Sequence, residues 1–140
     1  MLGTDQDLVT RLAVAARQQP EVVLAVVFGS VARGGAHAGS DVDIGVVLDG
    51  ADVSRRGAIE AELGRAAGRE IDFVDLGGAP PLLRFEIARD GLLLFERTPY
   101  VWADFRAHAM IDWWDWAPTA RKIHHAAAAR LRRQASQGSR

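Results

Sequence analysis

Residues 29–43 read GSVARGGAHAGSDVD and carry the strongest structural and chemical signal in the chain. The apolar run before them, Val22 to Phe28, predicts a strand buried on both faces. In the Gly-rich loop that follows, backbone N–H groups around Gly29 and Ser30 are free to bind an anion. The Ser30 hydroxyl and the Arg33 guanidinium add further donors. The loop is therefore predicted to hold a phosphate group.

Two carboxylates close this segment. Asp41 and Asp43 lie at the start of a second predicted strand, Val42 to Leu48, and strand alternation places both on one face. Carboxylate oxygens suit Mg²⁺, which proteins hold with one or two carboxylates and the phosphates of a substrate. A Gly-Ser turn or an Asp-x-Asp pair alone usually belongs to a solvated surface. Their combination after a buried strand indicates phosphoryl or nucleotidyl transfer.

A third acid lies in a predicted strand over residues 70–76. Ile71 and Phe73 share one face of that strand, and Asp72 lies on the other. If this strand neighbours the second one, Asp72 can join the acidic pair in a two-metal site and bind the metal that activates the attacking hydroxyl. Asp75 is the weaker candidate because it falls on the face of Ile71 and Phe73.

The whole chain of 140 residues is expected to form one domain. Its fold class is predicted as α/β (α+β), a small mixed sheet packed with helices, with a core over about 5–97 and a helical extension over 98–135. The patterns predict a first helix that is capped by Thr4 and stopped by Pro20, and a second that is capped by Ser54 and ended by Gly68. A third helix is predicted from Pro80-Pro81 to Ala88, followed by a strand from Leu92 to Phe95. Two further helices are predicted between Thr98 and about Arg133, divided by Pro118.

Composition excludes several classes of function. With no Cys, the chain has no disulfide framework, no Cys–zinc cluster and no thiol nucleophile. Its 17 basic and 18 acidic residues give a net charge of −1, so strong nucleic-acid binding is not expected. No apolar run reaches the roughly 18 residues of a membrane span, and residues 1–5 lack a basic leader. A cytoplasmic protein without a membrane partner is expected.

The C-terminal third is aromatic and then basic. Trp102, Phe105 and Trp113 fall on one helical stripe that is expected to pack on the sheet. Trp114 and Trp116 widen the arc too far for all to be core, so at least one is expected to face a partner or a second copy. Residues 121–140 carry six basic residues and no acid. They are either a solvated face or a surface for an acidic partner or for weak RNA contact.

The motif resembles the signature of the polymerase-β-like nucleotidyltransferases: Gly29-Ser30, ten residues, then Asp41-x-Asp43. Flanking segments are similar to the minimal nucleotidyltransferases, the MntA-like antitoxins of HEPN/MNT toxin–antitoxin systems. The resemblance covers about residues 10–110. It includes Phe28-Gly29-Ser30-x-Ala32-Arg33-Gly34, Ser40-Asp41-x-Asp43, Asp72-Phe73-Val74-Asp75-Leu76 and Leu82-Leu83-Arg84-Phe85-Glu86-Ile87.

This resemblance implies the polymerase-β-like fold and an Mg²⁺-dependent adenylyltransferase. The partner it implies is a HEPN ribonuclease toxin, which receives AMP from ATP on a tyrosine hydroxyl and is thereby neutralised. By position, Asp41 and Asp43 would bind the metals and Asp72 would complete the site, while Gly29 and Ser30 hold the triphosphate with help from Arg33. Two alternatives stay open: neutralisation by binding alone, and nucleotidyl transfer to a small hydroxylated molecule. The oligomeric state is also open.

Overall fold

Helices and strands alternate through residues 2–34 and 41–138, which the computed structural model describes. Its four strands are β1 (Val22–Phe28), β2 (Val42–Leu48), β3 (Ile71–Asp75) and β4 (Leu92–Glu96). Its α-helices are α1 (Leu2–Arg17), α2 (Gly29–Ala32), α3 (Val53–Ala67), α4 (Pro81–Asp90) and α5 (Val101–Gly138). A 3-10 turn, Leu76–Gly78, follows β3. The predicted bounds of β1 and β2 are confirmed to the residue.

The strands form one mixed sheet in the order β3-β2-β1-β4. β1 pairs antiparallel with both β2 and β4, whereas β2 and β3 run parallel. The predicted α/β class with a small mixed sheet is therefore confirmed. The register places Asp43 opposite Phe28 on one side and opposite Asp72 on the other.

One face of the sheet packs against α1 and α3. Val27, Ile44 and Val46 point to this side, and all three are fully buried. The helices cover them with Leu8, Leu12, Ala16, Ile59 and Leu63. Full burial of one such aliphatic side chain contributes roughly 1.5–3 kcal/mol, so this layer supplies most of the core.

The opposite face packs against α4 and α5. Leu24 and Val26 of β1 are buried there together with Leu76 and Ile87. The two helices are tied to each other by an ion pair of 2.9 Å between Arg84 Nη1 and Asp112 Oδ2. This helical layer borders the sheet on the side where the acidic residues of β2 and β3 emerge.

The ends of α1 and α3 differ from the sequence prediction. α1 begins at Leu2, ahead of the predicted cap Thr4. The cap of α3 is Asp52 and not Ser54, because the Asp52 carboxylate accepts a hydrogen bond of 2.7 Å from the backbone N–H of Arg55. Gly68 ends α3 as predicted, with the left-handed φ of 69° that favours glycine.

The prediction that Pro118 divides the C-terminal helix is wrong. α5 runs unbroken from Val101 to Gly138 with Pro118 inside it. Proline removes one intrahelical hydrogen bond, and here the freed carbonyl belongs to Trp114, whose exposed position lets water replace the lost donor. Although α5 has the length to cross a membrane, no helix in the described residues is also apolar enough to do so.

Candidate active site

The starts of two neighbouring strands bring two of the three predicted acidic residues together. Asp43 of β2 lies beside Asp72 of β3 in the parallel register. Val42 and Ile44, the neighbours of Asp43, belong to the core under α1 and α3, so strand alternation turns Asp43 to the α4/α5 side. Ile71 and Phe73 pack on that same core, and Asp72 therefore shares the face of Asp43.

The environment of Asp43 disfavours its charge. Partial burial raises the pKa of Asp43, and the neighbouring charge and hydrogen bond of Asp72 raise it further. Asp41 adds a smaller repulsion, and the Arg33 guanidinium acts in the opposite direction. Within residues 2–34 and 41–138, neither Asp43 nor Asp72 forms an ion pair with Lys or Arg. The carboxylates thus lie together without a bonded counter-ion.

Gly29 fits against this acidic pair because it has no side chain. A Cβ atom built on Gly29 would overlap Oδ2 of Asp43, and its φ of 72° is left-handed. Both features require glycine here. The backbone of the loop therefore lies directly against the Asp43 carboxylate.

Ser30 and Arg33 surround this close approach. Ser30 lies in the short helix α2, half-buried, and Arg33 follows at its C-terminal end, exposed. Arg33 is near enough to lower the pKa of both Asp43 and Asp90. The rest of the predicted phosphate loop, residues 35–40, lies outside the described residues.

Asp41 is the predicted site residue with the loosest placement. It precedes β2, is exposed, and lies outside the β2–β3 ladder, whose register begins at Val42. Among residues that the structure describes, no three His, Asp or Glu side chains converge closely enough to hold one metal ion. The structure joins Asp43 and Asp72 tightly and leaves Asp41 near them, where it influences Asp43 through its charge.

Asp75 has a different role. Its carboxylate forms an ion pair of 3.0 Å with Arg56 of α3 and accepts a hydrogen bond of 3.0 Å from the Gly77 N–H. These contacts neutralise it on the α3 side of the sheet and cap the turn after β3. Its position agrees with its lower rank in the sequence analysis.

The donor set fits a divalent cation such as Mg²⁺. Asp43 and Asp72 offer carboxylate oxygens, the ligand type that this hard ion prefers. Their mutual repulsion, together with the raised pKa of Asp43, is what a cation between them would relieve. Asp41 stays outside this pair, exposed at the end of the loop.

Two residues that matter near the site were not identified from the sequence. Asp90 ends α4, where hydrogen bonding to Arg89 and, more weakly, the charge of Arg33 lower its pKa. Gly45 lies on the face of Asp43, and a Cβ there would come within 2.7 Å of Leu76 Cδ2. The only sequence signal for Gly45 was a glycine inside a strand.

Comparison with protein families gives one match over more than half of the chain. Residues 11–100 match the model of the family "Polymerase beta, Nucleotidyltransferase". The matched range contains the Gly29 loop and the three aspartates of the candidate site. No curated protein sequence matches the chain significantly.

Solved structures with the same fold come from toxin–antitoxin complexes. A chain in a toxin–antitoxin structure with AMP-PNP is 24% identical, with a TM-score of 0.74, and the alignment covers 86% of this chain and 98% of that one. A chain in the complex of tri-AMPylated Shewanella oneidensis HEPN toxin with MNT antitoxin is 21% identical, with a TM-score of 0.71 and coverage of 89% and 98%. A chain of a MntA-HepT complex is 20% identical, with a TM-score of 0.66 and coverage of 91% and 99%. At these identities the likeness establishes the fold.

Proposed function

The chain belongs to the polymerase beta nucleotidyltransferase family, and from that premise we propose that it is an antitoxin that transfers AMP from ATP to a tyrosine hydroxyl of a HEPN toxin. The observation that carries the proposal is the contact of Asp43 with both Asp72 and the backbone of Gly29. This contact combines an acidic pair with a loop shaped for close backbone approach. Nucleotidyl transfer requires both at one place.

The positions of the side chains support the following proposed roles. Asp41 and Asp43 would hold Mg²⁺ with the nucleotide phosphates, and Asp72 would complete the set from β3. The bound ion would neutralise charge on the phosphates and lower the pKa of the attacking hydroxyl. The backbone at Gly29, the Ser30 hydroxyl and the Arg33 guanidinium would hold and orient the triphosphate.

The reaction is an in-line displacement at the α-phosphorus of ATP. The tyrosine oxygen forms the new bond to phosphorus, and the bond from the α-phosphorus to the oxygen that bridges to the β-phosphate breaks. Pyrophosphate leaves with that oxygen. The hydroxyl proton passes to Asp72, whose carboxylate lies beside Asp43. Arg33 stays with the phosphates and offsets their charge.

A protein acceptor is supported by the kind of complex in which similar chains were solved. One similar chain was solved with AMP-PNP, and another was solved with a HEPN toxin that carries AMP. The carboxylates of this chain open to the α4/α5 side, at the end of the sheet. A partner that brings its own surface can present a tyrosine there.

The test is the intact mass of a HEPN toxin that is co-expressed with this chain. We expect mass increments of whole AMP units with the wild-type chain and none with the Asp41→Ala/Asp43→Ala variant. Asp49→Ala is the matched control, because Asp49 is an exposed carboxylate that follows the other end of β2. It should modify the toxin like the wild type.

Two results would contradict the proposal. A toxin that stays unmodified, yet co-purifies with the chain and is neutralised, would show inhibition by binding alone. Equal modification by the wild type and the Asp41→Ala/Asp43→Ala variant would remove the assignment of the site. Tandem mass spectrometry of the modified toxin then identifies the acceptor, and AMP on serine or threonine would overturn the tyrosine assignment.

A further inference from the structure

The outer face of α5 carries an apolar stripe that is exposed in the described chain. Ala107, Ile111, Trp114 and Pro118 recur at spacings of three and four residues, which places them on one side of a helix. Ile111 is 53% exposed and Trp114 is 70% exposed. The opposite side of α5 is the one that packs on the domain, through the fully buried Ala109 and through Trp113, whose ring stacks on Phe85.

The second half of α5 extends beyond the packed core. All described side chains after Ala117 are exposed; they are Pro118, Lys122, Arg130, Leu131, Arg132 and Arg133. These described side chains are therefore available to contact another surface.

The two halves of α5 carry opposite charge. Residues 101–117 contain three Asp and one Arg, and residues 118–138 contain four Arg, one Lys and no acid. Two such helices repel each other when they lie parallel and in register. They attract each other when they lie antiparallel, because each acidic half then faces a basic half.

Four exposed charges fix a register for this antiparallel pairing. Asp104 and Asp115 are eleven residues apart, as are Lys122 and Arg133, and eleven residues correspond closely to three helical turns. Asp104 and Lys122 are separated by eighteen residues, or five turns, so all four side chains lie along one flank of α5. None of the four forms an ion pair within the described part of the chain.

The midpoint of Asp104 and Arg133 falls between Pro118 and Thr119, and so does the midpoint of Asp115 and Lys122. One twofold axis at that point therefore pairs Asp104 with Arg133 and Asp115 with Lys122 at the same time. Because the axis is twofold, each of these two pairs forms twice in the dimer.

We propose that the chain forms a homodimer through antiparallel pairing of α5 helices, with the Trp114 stripe of each copy against the basic half of the other. The occupant of the stripe is thus a second copy of this chain. Each domain lies on the far side of its own helix, because the stripe is opposite the face that packs on α4. The dimer leaves the α4/α5 side of the acidic site open and does not depend on the proposed function.

The first test is the mass of the purified full-length chain in sedimentation equilibrium. We expect a dimer for the wild type, and weaker association at 1 M salt, where the Debye length falls to about 3 Å. Trp114→Glu should raise the dimer dissociation constant by roughly thirtyfold or more, as expected for a central interface Trp. A wild-type chain that stays monomeric at high concentration would overturn the proposal.

Charge reversal tests the register. The Asp104→Lys/Asp115→Lys variant and the Lys122→Glu/Arg133→Glu variant should each be monomeric alone, because the flank then carries a single sign. Mixed together, they should form a heterodimer, since every predicted pair is again attractive. Failure of the mixture to associate while both variants keep the wild-type circular dichroism would refute this register.

Cross-linking tests the orientation, and the chain suits it because it has no cysteine of its own. A mixture of Asp104→Cys and Arg133→Cys chains should cross-link with a short bis-maleimide, whereas each chain alone should not. In the antiparallel dimer, two copies of residue 104 lie roughly 40 Å apart along the helix. Self-cross-linking of Asp104→Cys would indicate parallel pairing. A monomeric chain that loses toxin binding on Trp114→Glu would assign the stripe to the toxin and exclude the dimer.

Discussion

The face of the sheet under α1 and α3 is apolar at its centre, whereas the face toward α4 and α5 carries Asp43 and Asp72 beside Leu24 and Val26. The same strands build both faces, and strand alternation separates them. The apolar face supplies the hydrophobic stabilisation that fixes strand register. The acidic face holds two carboxylates whose repulsion opposes folding. The comparison teaches that stability and chemistry are divided between alternate residues of β2 and β3.

Replacement of Asp43 by Asn should give the largest effect, and it should change transfer activity and fold stability in opposite directions. We expect nucleotidyl transfer to fall by about a hundredfold to a thousandfold or more, because the proposed metal site would lose a charged oxygen ligand. The melting temperature in a buffer without divalent cations should rise at neutral pH, since the repulsion with Asp72 is removed. Transfer assays and differential scanning calorimetry measure the two effects.

Asp49→Asn is the control for that variant, because Asp49 is exposed just after β2 and far from Asp72 along the strand. It should change neither rate nor melting temperature appreciably. An Asp43→Asn chain that melts lower than the wild type would show that Asp43 stabilises the fold. That result would contradict the conclusion that one face of the sheet supplies stability and the other supplies the chemistry.

Replacement of Ile44 by Ala tests the opposite face one residue away. Ile44 is fully buried under α1 and α3. Its truncation should cost about 2–5 kcal/mol in the free energy of unfolding. The folded fraction should keep the wild-type transfer rate, because Ile44 points away from Asp43. Urea unfolding measures the loss, and Val14→Ala on the exposed side of α1 should change stability by no more than about 0.5 kcal/mol.

Replacement of Gly45 by Ala tests how tightly the acidic face is packed beside the carboxylates. The new Cβ would meet Leu76 Cδ2 at 2.7 Å, and such overpacking costs about 1–3 kcal/mol. A second substitution, Leu76→Ala, should reduce the penalty of Gly45→Ala, because it removes the atoms that the Cβ would meet. A double-mutant cycle in urea that shows no coupling between the two positions would contradict this packing.

Strand alternation explains why so much of the sheet was predictable. Continuous apolar residues in β1 and alternating ones in β2 are determined by burial, and both patterns gave correct bounds. The pairing of Asp43 with Asp72 followed once β3 was assumed to neighbour β2. Alternation gives the face of a side chain but not its distance, and so it did not reveal that Asp41 lies outside the ladder. The assignment of Asp41, Asp43 and Asp72 as metal ligands stays a prediction.

The path of α5 was less predictable for a different reason. Pro118 removes a hydrogen bond, and local rules therefore favour a break. In the structure Trp114 and Pro118 are exposed, and the helix continues on both sides of them. Exposure of that turn depends on which side of α5 packs against α4. The sequence suggested a stripe for Trp113 but not the position of α4 beneath it.

The smallest expected effect comes from Asp75, which belongs to the same strand as Asp72 but points to the other face. Its charge is balanced by Arg56, and its carboxylate caps the turn at Gly77. Asp75→Asn should lower the free energy of unfolding by about 1 kcal/mol or less, as for other partly exposed ion pairs. The transfer rate should stay unchanged, because Asp75 lies on the α3 side of the sheet.

Asp72→Asn is the matched comparison, since it makes the same chemical change three residues away on β3. It should leave the free energy of unfolding unchanged or higher, because Asp72 has no basic partner within the described residues. Transfer should nevertheless fall sharply if Asp72 accepts the hydroxyl proton. Parallel transfer assays and urea unfolding of the two variants therefore assign each carboxylate to chemistry or to stability. Equal loss of transfer in both variants would show that Asp75 also contributes to the reaction, and it would contradict the assignment of Asp75 to stability alone.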